Sequence, residues 1–110
     1  MYRTILAAAG FGAVLLLTGS ALAGEAVCYN TDEGQYNCWF EPEGGDGSFT
    51  ISADGYTTYY VGISEPGVAF ANATYPGADR GVMLPGPYYR EREEPACWRN
   101  PDTSHEICAW

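Results

Sequence analysis

The chain has 110 residues, a net charge of −9 with no lysine, and 15 % aromatic residues. That length limits it to one domain with a modest core. The shortage of cationic side chains excludes phosphate-backbone recognition, so neither nucleic acid nor an anionic lipid surface is an expected partner.

No charged residue lies between Arg3 and Glu25, and the apolar run between them ends in Ala21-Leu22-Ala23. A basic start, an apolar stretch and a small-x-small triplet make a secretory signal. Cleavage after Ala23 assigns residues 1–23 to export and Gly24–Trp110 to a single β-rich domain in the periplasm or outside a bacterial cell. Retention as a membrane span is less favoured, because Gly10, Gly12 and Gly19 dilute the hydrophobicity and no basic cluster stops transfer. Lipid attachment is disfavoured too, since Ser20 rather than a cysteine follows Leu17-Thr18-Gly19.

The four cysteines all fall in the exported part, where an even number reads as disulfides. Their spacing favours local pairs, Cys28 with Cys38 and Cys97 with Cys108, each stapling a hairpin. The rival connectivity, 28–108 with 38–97, would tie the ends of the domain together. Zinc ligands usually stand two to four residues apart within a pair, so no metal is expected at these cysteines.

Beyond the signal, Gly or Pro interrupts every helical window, and short strand-like runs alternate with turn clusters. Ala26–Tyr29 and Tyr36–Phe40 flank a turn at Asp32-Glu33-Gly34. Glu41–Ser48 reads as a polar loop. Phe49–Ser52 and Tyr56–Ile63 flank Ala53-Asp54-Gly55, a strong hairpin signal. Glu65-Pro66-Gly67 turns the chain into Val68–Thr74, and a loop from Tyr75 to Gly81 leads to the short Val82–Leu84. Tyr88–Glu93 reads as a charged edge strand. Cys97–Arg99 and Glu106–Ala109 flank a turn at Asn100-Pro101-Asp102-Thr103. The expected fold is therefore all-β, a small disulfide-stapled antiparallel sandwich or partly open barrel of about eight short strands. A transmembrane barrel is not expected, because at least eight strands of about 9–11 residues with their turns need more chain than Gly24–Trp110 supplies.

Chemistry is sparse. His105 is the one histidine, and its neighbours Ser104 and Glu106 would point to the opposite face of a strand, so no triad forms locally. His105 is expected on an exposed hairpin, and no catalytic residues are assigned. Glu41, Glu43, Asp46 and Asp54 surround a Gly-rich loop that could offer oxygens to calcium, but the alternating acids of an EF-hand are missing. That loop reads as solvated, with no cofactor.

A binding role is the expectation. An acidic domain suits a cationic protein partner such as a cell-wall enzyme, and the segment Tyr88, Tyr89, Arg90, Glu91, Arg92, Glu93, Glu94 is the candidate surface, because Tyr and Arg favour interface hot spots and charge sets on-rate. The alternatives are carbohydrate binding, with one ring of Tyr59-Tyr60 and one of Tyr88-Tyr89 turned outward, or a structural envelope protein without a discrete site.

Overall fold

The computed structural model describes residues 22–110; apart from Leu22 and Ala23, the expected signal segment lies outside the described residues. Nine strands follow in order: β1 (Gly24–Asn30), β2 (Gly34–Glu43), β3 (Ser48–Ser52), β4 (Thr58–Glu65), β5 (Val68–Thr74), β6 (Val82–Met83), β7 (Tyr88–Arg90), β8 (Cys97–Arg99) and β9 (Glu106–Ala109). Two of the turns rest on glycine: Gly55 and Gly67 hold φ of 81° and 79°, which other residues adopt only with strain.

Every pairing is antiparallel. The hydrogen-bonded order runs β4-β3-β2-β1-β9-β8-β7-β5, and β5 pairs again with β4, so eight strands close on themselves. The fold is thus a closed barrel rather than a sandwich or a partly open barrel. Closure depends on β5, whose length of seven residues lets it serve three partners. One flank pairs with β4; on the other, Val68 and Ala69 meet β7 while Asn72 and Ala73 meet the extra strand β6. Tyr88–Arg90 is accordingly no edge strand. It is paired on both sides and seals the wall.

The loop expected from Glu41 is shorter than anticipated, because β2 continues to Glu43 against Ser48. Pro42 and Glu43 extend β2 while Gly44–Gly47 make the turn.

Period-two alternation fills the interior. Tyr36 and Cys38 from β2, Phe49 and Ile51 from β3, Tyr59 and Val61 from β4, Tyr88 from β7, Trp98 from β8 and Ile107 from β9 all point inward and are buried. Against these bulky groups β5 presents only Ala69, Ala71 and Ala73, also buried. Small residues facing rings are how a narrow barrel accommodates large side chains.

Both disulfides are the local pairs, Cys28–Cys38 and Cys97–Cys108. They occupy different sides of the wall. Cys28–Cys38 belongs to the apolar core. Cys97 and Cys108 stand directly opposite one another and alternate with the inward Trp98 and Ile107, so their bridge lies on the outer face. Disulfides of this kind fit an oxidising compartment. Among the described residues no helix is long and apolar enough to cross a membrane.

Two buried asparagines organise matching turns. Asn30 Oδ1 accepts from the Asp32 and Glu33 N–H groups, and Asn100 Oδ1 accepts from those of Asp102 and Thr103. Each therefore folds its own hairpin tip, a local substitute for backbone bonds.

Candidate functional site

The outer wall of β1–β3 carries a solvent-open groove of about 660 Å³, lined among others by Glu25, Val27, Asn37, Trp39, Ser52 and Asp54. Alternation along β2 sends Cys38 inward and Trp39 outward, leaving the indole 47 % exposed. Register sets its neighbours: Glu25 of β1 stands directly opposite on one side and Ser52 of β3 on the other. The indole N–H donates to Glu41 Oε1 at 2.9 Å, which fixes the ring's tilt. An exposed tryptophan is thus held by one carboxylate and flanked by two more, and among the described residues no Lys or Arg lines the groove. A π face beside carboxylates attracts cations.

The sequence segment expected to form a surface is split. Tyr88 is 1 % exposed and points into the barrel, whereas Tyr89 lies outside, opposite Val68 and Arg99. Arg90 points inward at the barrel mouth, its guanidinium 4.6 Å above the Trp98 ring and its Nη1 donating to the Pro95 carbonyl at 3.0 Å. Arg92, Glu93 and Glu94 are exposed in the connection between β7 and β8. Glu91 turns toward Glu106, and its carboxyl raises the Glu106 pKa from the ordinary value, with partial burial adding to the effect. Of the seven residues, Tyr88 is buried, Glu91 is half-buried, and Tyr89, Arg90, Arg92, Glu93 and Glu94 are exposed, with Arg90 at the barrel mouth apart from the others.

His105 is not exposed. Its side chain is 15 % accessible at the far end of the barrel, where it joins β4, β7 and the β8–β9 turn. Nδ1 lies 2.8 Å from the Tyr88 hydroxyl, while Nε2 lies 3.4 Å from that of Tyr59 and 3.5 Å from Asp32 Oδ2. Burial pushes the Tyr88 pKa up to about 12 and raises Tyr59 further, so both stay protonated. Tyr88 therefore donates to Nδ1, and the neutral ring turns Nε2–H toward Asp32 and Tyr59. Beside this group Glu33 accepts from the Thr57 N–H and hydroxyl and from Asn30 Nδ2. These contacts tie strands together and make a latch rather than a reactive centre.

The latch carries a pH signature. Burial lowers the His105 pKa, and the Asp32 charge offsets this only in part. The unfolded chain binds a proton near the ordinary value of about 6.5, where the folded one still does not. Between those two values the unfolded state holds more protons, so stability falls as pH drops below about 6.5. Urea unfolding at pH 7.5 and 5.0 should therefore show a larger loss for the native protein than for His105→Gln. Equal losses would mean that His105 does not titrate differently on folding.

The four acids considered for calcium are engaged separately or stand apart. Glu41 takes the Trp39 indole, Glu43 the Thr50 hydroxyl and Asp46 the Ser48 N–H, while Asp54 belongs to the groove on the outer wall. The group of potential ligands closest together, Cys97, Glu106 and Cys108, has its sulfurs joined in the disulfide.

No family model, curated protein or solved structure matches the chain.

Proposed function

We propose that the domain is an exported acidic binding module that recognises a cationic protein, with a cell-wall or envelope enzyme as the fitting partner class, and that Trp39 is its anchor. The observation that carries this reading is the half-exposed indole bonded to Glu41 and flanked by Glu25 and Asp54. A lysine or arginine of the partner would lie on the ring and meet the carboxylates. Cation–π contact contributes about 0.5–2 kcal/mol as water is excluded. The overall excess of acid steers such a partner in.

The test uses oxidised Gly24–Trp110, which contains every strand among the described residues and both disulfides, as bait for envelope proteins. A basic protein should be retained at low salt and released at about 0.5 M, where the Debye length shrinks to about 4 Å. Trp39→Ala should weaken retention about tenfold without lowering stability, since an exposed side chain leaves no cavity. Gln at Glu91, Glu93 and Glu94 should leave retention intact. Loss with those three replacements but not with Trp39→Ala would move the site to the β7–β8 connection. No basic protein retained at either salt would overturn the reading.

Carbohydrate binding is the second reading, supported by a different wall. Tyr60 folds over Gly62, which stands opposite Phe70, and Tyr89 stands opposite Val68, so three exposed rings form an oblique stripe. Salt-insensitive retention on an insoluble glycan, lost with Tyr60→Ala, would favour it.

A further inference from the structure

The barrel mouth around Arg90 belongs to neither surface. It opens where β3 begins and β4 gives way to the turn toward β5. Ile63 and Trp98 form the apolar floor of a cavity of about 550 Å³, while Asp46, Ser64, Glu65, Pro66, Gly67 and Arg90 form its rim. A bulge between Ile63 and Glu65 frees Ser64 from the ladder and lets the chain bend there. A smaller cavity, lined among others by Phe40, Phe49 and Pro95, shares Arg90 and Trp98 with the first. The volume lies in the range of small-molecule sites, for which mouths of β-barrels are a preferred location.

Charge on the rim is of both signs. Arg90 is held over the buried Trp98 ring with one N–H on the Pro95 carbonyl. Among the described residues no carboxylate comes within 4.0 Å of it. The rest of its fork is thus preset for a bidentate acceptor. Asp46 is fixed by the Ser48 N–H on Oδ1, and Ser48 in turn accepts from the Ile63 N–H. Hydrogen bonds from Ser48 hold the Asp46 carboxyl below its ordinary range, so it is ionised at neutral pH. A simple anion would meet the repulsion of Asp46 and Glu65, and a simple cation that of Arg90.

We propose that the mouth binds a small apolar zwitterion, a free amino acid or a short peptide with free termini. Its carboxylate would sit on Arg90, its ammonium on the Asp46 and Glu65 side, and its apolar side chain on Ile63 and Trp98. This site is independent of the Trp39 groove.

The experiment is an NMR titration of oxidised Gly24–Trp110 with L-phenylalanine, N-acetylphenylalanine and phenylalaninamide. The second probe lacks the cation and the third lacks the anion. Phenylalanine should shift the Trp98 indole and Gly67 amide signals, and the other two probes should bind at least about tenfold more weakly. Arg90→Gln should weaken phenylalanine about tenfold and leave phenylalaninamide no weaker, because that probe has no carboxylate to lose and is relieved of the Arg90 charge. Asp46→Asn, which keeps the oxygen that Ser48 needs, should weaken phenylalanine and leave N-acetylphenylalanine no weaker, because that probe has no ammonium to lose and is relieved of the Asp46 charge. Three probes of equal affinity would reveal apolar contact alone and overturn the proposal. So would the absence of shifts at Trp98 and Gly67 with about 10 mM phenylalanine.

Discussion

Trp98→Ala will cost about 3–5 kcal/mol of folding stability. Trp98 is the largest fully buried side chain, 2 % exposed, and meets Ile107 across the β8–β9 pair. Removing the indole leaves a void that the closed wall cannot collapse to fill, because each strand is fixed by two neighbours. It also removes the plate beneath the Arg90 guanidinium. Small domains are stable by only about 5–15 kcal/mol, so the variant will be close to unfolding at ambient temperature. Trp110→Ala is the control: that indole is 51 % exposed, and its loss should change stability by less than about 0.5 kcal/mol. Urea unfolding of the two variants checks this, and similar midpoints would mean that the barrel repacks around the missing ring.

The second large effect concerns the disulfides. Their sequence separations are 10 and 11, so chain entropy assigns each about 3 kcal/mol. Their surroundings differ, however. All four cysteines are buried, but Cys28 and Cys38 belong to the contiguous apolar cluster inside the barrel, whereas Cys97 and Cys108 lie outside that cluster, on the other face of the wall. The Cys28→Ala, Cys38→Ala pair should therefore cost more than the Cys97→Ala, Cys108→Ala pair only through the packing lost inside the cluster, by up to about 1 kcal/mol. Removing all four should leave the chain largely unfolded. Thermal unfolding of the two double variants and the quadruple one provides the comparison, and equal losses would show that loop closure alone governs the bridges.

Local chemistry made much of this barrel legible. Val68–Thr74, Cys97–Arg99 and Glu106–Ala109 are strands with the expected limits, because apolar alternation and turn residues bound them on both sides. The cysteine pairing was readable for the same reason, each pair enclosing one hairpin. Closure was not. It requires β5 to meet β4 on one side and both β6 and β7 on the other, and no local pattern encodes a three-partner strand. The same limit applied to Tyr88–Glu94. Alternation requires Tyr88 and Tyr89 to face opposite sides but does not say which is inside, and Arg90 reaches Trp98 only through the β7–β8 register. His105 was misread as exposed because its partners Tyr59, Tyr88 and Asp32 come from distant segments. Trp39 carried a signal that could have been used: alternation places it opposite Cys38, with Glu41 two residues along on its own side, although only the structure shows that this side is the outer one.

The seam between β1 and β9 has a consequence for how the chain reaches this state. It pairs Asn30 with Ile107 and Cys28 with Ala109, segments from opposite ends of the barrel, and neither disulfide spans it. Oxidation can therefore finish within two separate hairpins while the barrel is still open. The search that brings β1 to β9 is left undiminished, and topologies dominated by such remote pairings fold in milliseconds to seconds rather than microseconds. Covalent maturation does not require barrel closure, since neither bridge crosses the seam. Refolding with both bridges intact should retain the slow phase that belongs to the seam.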